Sequence, residues 1–441
     1  MQLYDIRPQD LLFFRDGRPM ETGEGSGRGA TWPAPTVFFD ALHAALHRAF
    51  PDASDSPWDS GHAERGGRVP KLTHRRFGAL TTVGPFPRSI DADGHDHGWL
   101  FPAPLDALPG GDGSAVGLRP IPAKMAGRTD LPSPLVMPLG SIAAPSKMPV
   151  RPWWPRDAIT AFLDSGSLPA EAATFDYSHL YAAEHTTGIG IDNKTGTQDG
   201  ERIYSAEYLR LRENASIGLA ATLPTADGSG DGLCELFPAA GGRIVAGGQQ
   251  RVCHVSPLSG TRLSDILPAS AAVTGTRVRW QLLTPALFPA LAANPGKKIP
   301  SHPGGWLPSW VAPDSGMVML PALPPTQLAR QPDERRTTWR KRVASSPKLD
   351  CHLVAASIGK ATVLTGWSDH LADSSGAKST RLAVPAGSSY FFEGPDAPLL
   401  AELLAWDGGG EGAPLQRRSS ALGEKGLGLG VCGPWSPFPS D

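Results

Sequence analysis

Apolar residues recur along the chain in two rhythms, and each marks a different kind of element. Phe38, Leu42, Ala45, Leu46 and Ala49 fall at helical spacing, so Val37–Phe50 is predicted to be a helix with one core-facing side. Pro33-Ala34-Pro35-Thr36 ends the preceding loop and starts that helix. Upstream, Met1–Phe14 places Leu3, Ile6, Leu11, Leu12, Phe13 and Phe14 around Pro8 and predicts strand segments. Arg15-Asp16-Gly17-Arg18-Pro19 predicts a turn. Gly23, Gly25, Gly27 and Gly29 then alternate with polar residues in a loop. From residue 51 to about residue 180 the chain is loop-rich, with Asp52–Gly67 a surface excursion and Asp91–His97 polar and exposed. Leu100–Leu108 predicts a short extended segment broken by Pro102 and Pro104, and Ala158–Leu163 a short helix.

The second rhythm is alternation. Around the turn signal Asp192-Asn193-Lys194-Thr195-Gly196, the segment Glu184–Arg212 predicts a long β-hairpin. Gly241–Val255, Arg277–Leu283, Leu353–Thr365 and Leu382–Phe392 predict further strands, and Pro398–Trp406 a short apolar helix. A glycine run, Gly423–Gly433, follows near the end. Strand, helix and strands, then strands, helix and glycine run, predict an α+β protein of two similar sandwiches.

Composition narrows the class. The 441 residues predict two or three domains. A 40% apolar share supports a real core, while 51 Gly and 45 Pro imply an unusual amount of loop. The net charge of −2 means that nucleic-acid binding would need a local patch or a groove shared with other subunits. Cys234, Cys253, Cys351 and Cys432 form no C-x-x-C pair, which argues against a structural zinc site. Asp5, Arg7 and Asp10 stand where a signal peptide would be apolar, and no run of 18 apolar residues occurs, so a reducing, cytoplasmic setting is expected.

Candidate chemistry centres on the hairpin. At period two, Arg202, Tyr204, Tyr208, Arg210 and Arg212 share a strand face, with Ile203, Leu209 and Leu211 on the other. Rings stack on bases at about 1–3 kcal/mol each and guanidinium groups hold phosphates, which suits a single-stranded RNA. An ordinary solvated strand face, or a helix over Ser205–Asn214, fits the same residues. Lys194, Thr195 and Thr197 sit at the hairpin tip. Arg15, Arg18 and Arg28 flank a tight turn and a glycine loop ahead of a helix N-terminus, where an anion is favoured, although surface charge explains any one of them. Gln250 and Arg251, after Gly247-Gly248-Gln249, are able to read base edges, or simply end an exposed strand.

Gly428-x-Gly430-x-x-Gly433 formally matches a dinucleotide fingerprint, but Pro434 follows where a helix is needed. Lys425, Gly426, Gly428 and Gly430 instead suit close approach to a phosphate or to another backbone. Asp40, His43 and His47 lie on the polar side of the first helix. The two histidines could serve acid–base RNA cleavage or a metal, or form a solvated face. His95-Asp96-His97 has no partner ligands in view. No GxSxG, Walker or HExxH motif occurs.

Five segments in order carry a family likeness: "IRPQDLLFFRDGRPM" with "WPAPT"; "GIGIDNKTGTQDGERIYSAEYLRL"; "LLTPALF" with "GGWLPSW"; "GWSD" with "RLAVPAGSSYFFEG"; and "GEKGLGLG". Together they resemble the RAMP protein that forms the third subunit of Cmr (type III-B) CRISPR effector complexes. The resemblance implies two tandem ferredoxin-like (RRM-like) folds with long loop insertions and a C-terminal glycine-rich loop. These would span residues 1–265, with the hairpin at about 184–212, and 270–441, with the loop at 423–433. It implies a non-catalytic antiviral subunit without cofactor or metal that anchors the 5′ tag of the crRNA. It also implies docking to the Cas10-type large subunit and the backbone RAMP subunit, and indirect contact with target RNA, with no membrane. The insertions around 52–67, 105–175 and 325–350 are long for such a protein. A metal-independent repeat-processing endoribonuclease using His43 or His47, and the equivalent subunit of a type III-A or III-D complex, are the alternatives.

Overall fold

A computed structural model describes residues 1–15, 25–27, 29–50, 77–90, 96–144, 146–191, 194–224, 230–293, 300–331, 333–368, 376–377, 379–408 and 415–439, with side chains outside 25–27, 198–204, 367–368 and 376–377. The predicted excursion at Asp52–Gly67 lies outside the described residues. The elements are β1 (Gln2–Pro8), α1 (Pro35–Ala49), β2 (Thr81–Ile90), β3 (Asp96–Pro102), β4 (Trp153–Pro155), α2 (Arg156–Ser165), β5 (Tyr181–Ile191), β6 (Gln198–Leu211), β7 (Ala215–Thr222), α3 (Leu233–Leu236), β8 (Gly242–Ala246) and β9 (Arg251–Leu258). They continue with β10 (Arg277–Leu282), α4 (Arg336–Ser345), β11 (His352–Ser357), β12 (Ser389–Glu393), α5 (Ala397–Leu404) and β13 (Gly430–Gly433).

The chain is α+β, built on two antiparallel sheets. The first has the order β8-β9-β1-β7-β2-β3-β4, and the second β11-β12-β10-β13. Within the first, β9-β1-β7-β2 takes its fourth, first, third and second strands in that order, with α1 and α3 in the crossovers. The second sheet repeats the arrangement as β13-β10-β12-β11, with α4 and α5 in the corresponding crossovers.

The first sheet is covered on both faces. Phe38, Leu42, Ala45 and Leu46 form the buried stripe of α1 and meet Tyr4, Ile6, Ile217, Leu219 and Val255. On the opposite face Leu3, Val83 and Ala220 meet Trp99, Phe162 of α2, and Leu283, Leu429 and Val431 from the second half of the chain. Strand β7 therefore reads as a continuous small-to-apolar run rather than an alternation. Its Gly218 is required by packing, because a Cβ there would stand 2.3 Å from the Trp99 indole. In the second half, α5 packs Leu400, Leu403 and Leu404 onto Val278, Trp280, Leu353, Tyr390 and Phe392.

Several expected elements divide. Gly241–Val255 is two strands, because Gly247, Gln249 and Gln250 adopt positive φ and turn the chain back. Leu353–Thr365 divides into His352–Ser357 and Thr362–Leu364, and Leu382–Phe392 into Arg381–Ala383, which pairs with Thr362–Leu364, and Ser389–Glu393, with Pro385-Ala386-Gly387 between them and Gly387 at φ +86. Asp96 and His97 belong to β3 rather than to an exposed loop. The 325–350 insertion contains the helix α4, which the apolar pattern did not announce because none of its residues is buried.

One buried ion pair joins the halves. Arg279 of β10 donates to Asp106 at 2.9 Å and to the Phe162 carbonyl at 3.1 Å, and Ser389 of β12 donates to the other Asp106 oxygen at 2.7 Å. Both charged side chains are almost wholly removed from solvent, at 4% and 0% exposure. Removing one member leaves a buried charge unpaired, so Arg279→Ala is expected to cost on the order of 3–5 kcal/mol. The apolar double replacement Asp106→Leu/Arg279→Met should recover most of that loss, as read by urea unfolding. Cysteine chemistry gives a second check. Burial pushes the thiols of Cys253 and Cys351 up to about 12 and that of Cys432 well above its ordinary value, whereas Cys234 is exposed. A thiol reagent should therefore label one cysteine per folded chain and four after denaturation.

Candidate nucleic-acid interface

The hairpin β5–β6 is built of the two longest strands among the described residues. Eleven residues of β5 span about 36 Å at the rise of a strand. They pair with β6 from Tyr181↔Leu211 to Ile189↔Ile203, and again at Ile191↔Gln198. Gly25–Gly27 of the glycine loop lies parallel against Tyr204–Ala206. Arg15, at an isolated bridge to Gly29, is thereby brought to the same neighbourhood. Arg18 and Arg28 lie outside the described residues, as do the side chains of Arg202 and Tyr204.

The base of the hairpin is closed by a strand segment from the other end of the chain. Leu12 and Leu209 exchange backbone hydrogen bonds at 2.9 and 2.8 Å, which seats Leu209 in the core. The segment through Leu211 is a strand, but Tyr208 is not presented to solvent. Its ring is 5.4 Å from that of Phe13, the Arg251 guanidinium stands 5.1 Å over it, and its hydroxyl donates to Gln249 Oε1 at 2.8 Å. This corrects the expectation of an open stacking ring. The covering residues come from Leu12–Phe13 and from the turn before β9, which the strand's own pattern does not contain.

What the strand does expose is arginine. Arg210 forms a bidentate pair with Glu184 of β5 and donates to Asp10 at 3.1 Å. Arg251 stands 3.9 Å from the second Asp10 oxygen and donates to Gln249 Oε1 at 2.9 Å. Arg212 donates to the Ser178 carbonyl at 3.2 Å. The structure thus gathers Arg210, Arg251, Gln249, Gln250 and Tyr208 into one cluster, although they arise from two distant segments. Asp10 and Glu184 complete it and were not anticipated. Glu184 lies diagonally across the ladder from Arg210, a cross-strand charge pair. The hydrogen bond from Arg210 holds the Glu184 carboxyl below its usual range and raises the Arg210 guanidinium. Gln249 and Gln250, at φ 57° and 51°, form a strained turn pinned by a hydrogen bond from Gly248 N–H to the Phe13 carbonyl at 2.8 Å. Gln250 is exposed at its apex. At the far end, Lys194, Thr195 and Thr197 are exposed, with the two threonine hydroxyls 2.8 Å apart, and Ile189 and Ile191 are exposed beside them.

The glycine run stands elsewhere and packs against protein. Lys425 donates to Asp40 of α1 at 2.6 Å and stands 4.6 Å over the Phe39 ring. Gly426, Gly428 and Gly430 are all buried. A Cβ on Gly428 would lie 2.1 Å from the Ser419 amide, and one on Gly430 2.2 Å from the Trp280 indole nitrogen. The close approach expected of these glycines is therefore made to the protein itself, and no phosphate is needed to explain them. His43 and His47 are half-buried rather than solvated. Their rings are 4.6 Å apart and both pack on Phe77. Among the described residues no three His, Cys, Asp or Glu side chains converge as a metal site would require.

Asp10 and Glu184 compete with any anion for Arg210 and Arg251. The double variant Asp10→Asn/Glu184→Gln is expected to tighten binding of a single-stranded RNA oligonucleotide by about 2–5-fold at low salt, in a fluorescence anisotropy titration. Unchanged affinity would show that these arginines do not meet the strand.

The family model for CRISPR-associated protein (Cas_Cmr3) matches residues 4–435. No curated protein matches the chain. Two solved structures similar to it are chains of the type III-B Cmr-beta assembly. One is bound to cognate target RNA and AMPPnP (14% identity, 88% of this chain and 86% of that chain covered, TM-score 0.39). The other is bound to cognate target RNA (14% identity, the same coverage, TM-score 0.41). With the family model matched from the first strand to beyond the last, the chain belongs to the Cmr3 family of CRISPR-associated proteins.

Proposed function

We propose that this chain is the non-catalytic subunit that anchors the 5′ tag of the guide RNA in a type III-B effector and docks the Cas10-type large subunit and the backbone RAMP subunit. Family membership supports the assembly. The repeated fourth-first-third-second strand order supports two tandem ferredoxin-like units, one ending near residue 265 and the other beginning near 270. Lys194, Thr195 and Thr197 at the hairpin tip, with Arg15, Arg210, Arg212, Gln250 and Arg251 toward its base, form the RNA-facing set.

The observation that carries this reading is the cluster at the hairpin base. Tyr208 and Gln249 fix the Arg251 guanidinium from two sides, and Asp10 and Glu184 hold Arg210 ready without burying it. A phosphate is able to replace either carboxylate bidentately with little rearrangement of the forks. The exposed amide of Gln250 adds a donor and an acceptor at fixed height beside them. Nothing in this arrangement supplies an acid–base pair. The cluster binds a strand without moving protons on it, and the aromatic packing of His43 and His47 serves α1.

The test is loading of guide RNA into reconstituted complex carrying Arg210→Glu, Arg212→Glu and Arg251→Glu. At about 1.5–3 kcal/mol for each charge-assisted hydrogen bond lost, guide occupancy should fall at least tenfold while the subunits still assemble. Wild-type loading by the triple variant, or turnover of repeat RNA by the purified chain alone, would overturn the proposal.

A further inference from the structure

The chain carries a net charge of −2, yet one short stretch runs strongly the other way. Between Arg330 and Lys348 stand seven basic residues, Arg330, Arg335, Arg336, Arg340, Lys341, Arg342 and Lys348, against Asp333 and Glu334, a net charge of +5. This stretch contains α4, whose side chains are all outside the core.

The helix is fixed in place on one side only. Trp339 donates its indole N–H to the Leu328 carbonyl at 2.8 Å. Arg342 donates to both Glu334 oxygens at 2.9 Å and to the carbonyls of Gln327 and Ala329. The one carboxylate next to the helix that is strongly engaged is thus consumed by the anchoring arginine. Arg335, Arg336, Arg340 and Lys341 are exposed and make no ion pair among the described residues. Arg336 and Arg340 lie four apart on the outer side, a like-charge spacing that destabilises a helix. Arg335 and Arg336 sit at the positive end of the helix dipole, with no acid in the first turn and no side-chain cap. Ten residues are too few to hold a helix by propensity alone. The sequence therefore keeps a self-repelling face whose charges give nothing back to folding.

We propose that this outer face of α4 binds the phosphate backbone of single-stranded RNA without regard to sequence, as a second contact apart from the hairpin base. The inference rests on the reading of the chain as a guide-RNA subunit. Arginine dominates the face, and its fork matches a phosphate. The rest of the exposed side is Thr337, Thr338, Ala344 and Ser345, which offers no apolar wedge for a lipid surface.

The experiment is a salt series of fluorescence anisotropy titrations with a uridine 30-mer and the full chain. It compares wild type with Arg336→Gln/Arg340→Gln/Lys341→Gln and, separately, with Arg210→Gln/Arg251→Gln. Each phosphate contact on a single strand contributes about 0.7 to the slope of log K against log salt, so the helix variant should lose about 2 from that slope. Wild-type slope in the helix variant with weakened binding in the hairpin variant overturns the α4 proposal and leaves the hairpin reading standing. Loss in the helix variant alone does the reverse. No binding by wild type at the lowest salt overturns both. Equal unfolding midpoints for wild type and helix variant confirm that a change in slope reports the charges, because none of the three residues is buried. If the variant instead loses an acidic protein subunit while keeping its RNA slope, the face is a protein dock and the proposal falls.

Discussion

The pair between Arg279 and Asp106 is the constraint on which the arrangement of this chain depends. Arg279 belongs to the first strand of the second sheet, Asp106 follows β3 of the first, and Phe162 and Ser389 add one contact from each half. Burying two charges is expensive, and their attraction offsets it only when geometry and extra hydrogen bonds are good. A pair of this kind tolerates one relative placement of its elements and penalises the others. The apolar surfaces around it, Leu283, Leu429 and Val431 against Leu3, Val83 and Ala220, would accept sliding by themselves. The ion pair removes that freedom, and with it fixes where the glycine run crosses α1 through Lys425 and Asp40.

Two arginine-bearing surfaces then differ in kind. At the hairpin base Arg210 and Arg251 are matched, while Arg212 donates to the Ser178 carbonyl. Arg210 has Glu184 and Asp10, and Arg251 has Asp10 and the ring of Tyr208. In the proposed reading an incoming strand must displace carboxylates there, so weak or misplaced phosphates gain little and position is selected over raw affinity. In the same reading no carboxylate has to leave Arg336, Arg340 or Lys341 among the described residues, so affinity on α4 follows ionic strength. In the proposed reading the first surface sets the register of the guide's leading nucleotides, and the second gives a salt-sensitive hold on a less constrained stretch. The two roles ask for opposite treatments of neighbouring carboxylates, as the structure displays.

Legibility in the sequence followed the range of the interaction involved. The α1 stripe, from Phe38 to Leu46, is set by contacts one turn apart, and its helix lies within two residues of where the spacing places it. The hairpin was visible because its turn signal and its alternating arms are local, and its bounds moved only at the ends of the arms, to Tyr181–Ile191 and Gln198–Leu211. The fate of Tyr208 was invisible, because Phe13 lies almost two hundred residues upstream and Gln249 forty-one downstream. The split at Gly247–Gln250 was missed because two glutamines, not only glycines, carry the positive φ.

The glycine run shows a deeper ambiguity. Absence of a Cβ says that something comes close and nothing about what. Gly428 admits the Ser419 backbone and Gly430 the Trp280 indole, contacts that a phosphate loop would leave to its ligand. The distinction lies in the apolar residues between the glycines. Leu427 and Leu429 are wholly buried, and Leu429 packs with Val83 and Ala220 across the two halves. A loop that must hold a solvated phosphate cannot spend every second residue on the core. The alternation of glycine with leucine in Gly426–Gly430 is therefore the local signature of a turn packed into the core, and charge free to meet a nucleic acid has to be sought where no neighbouring residue is committed to the interior. In this chain that condition is met by α4, none of whose residues is buried.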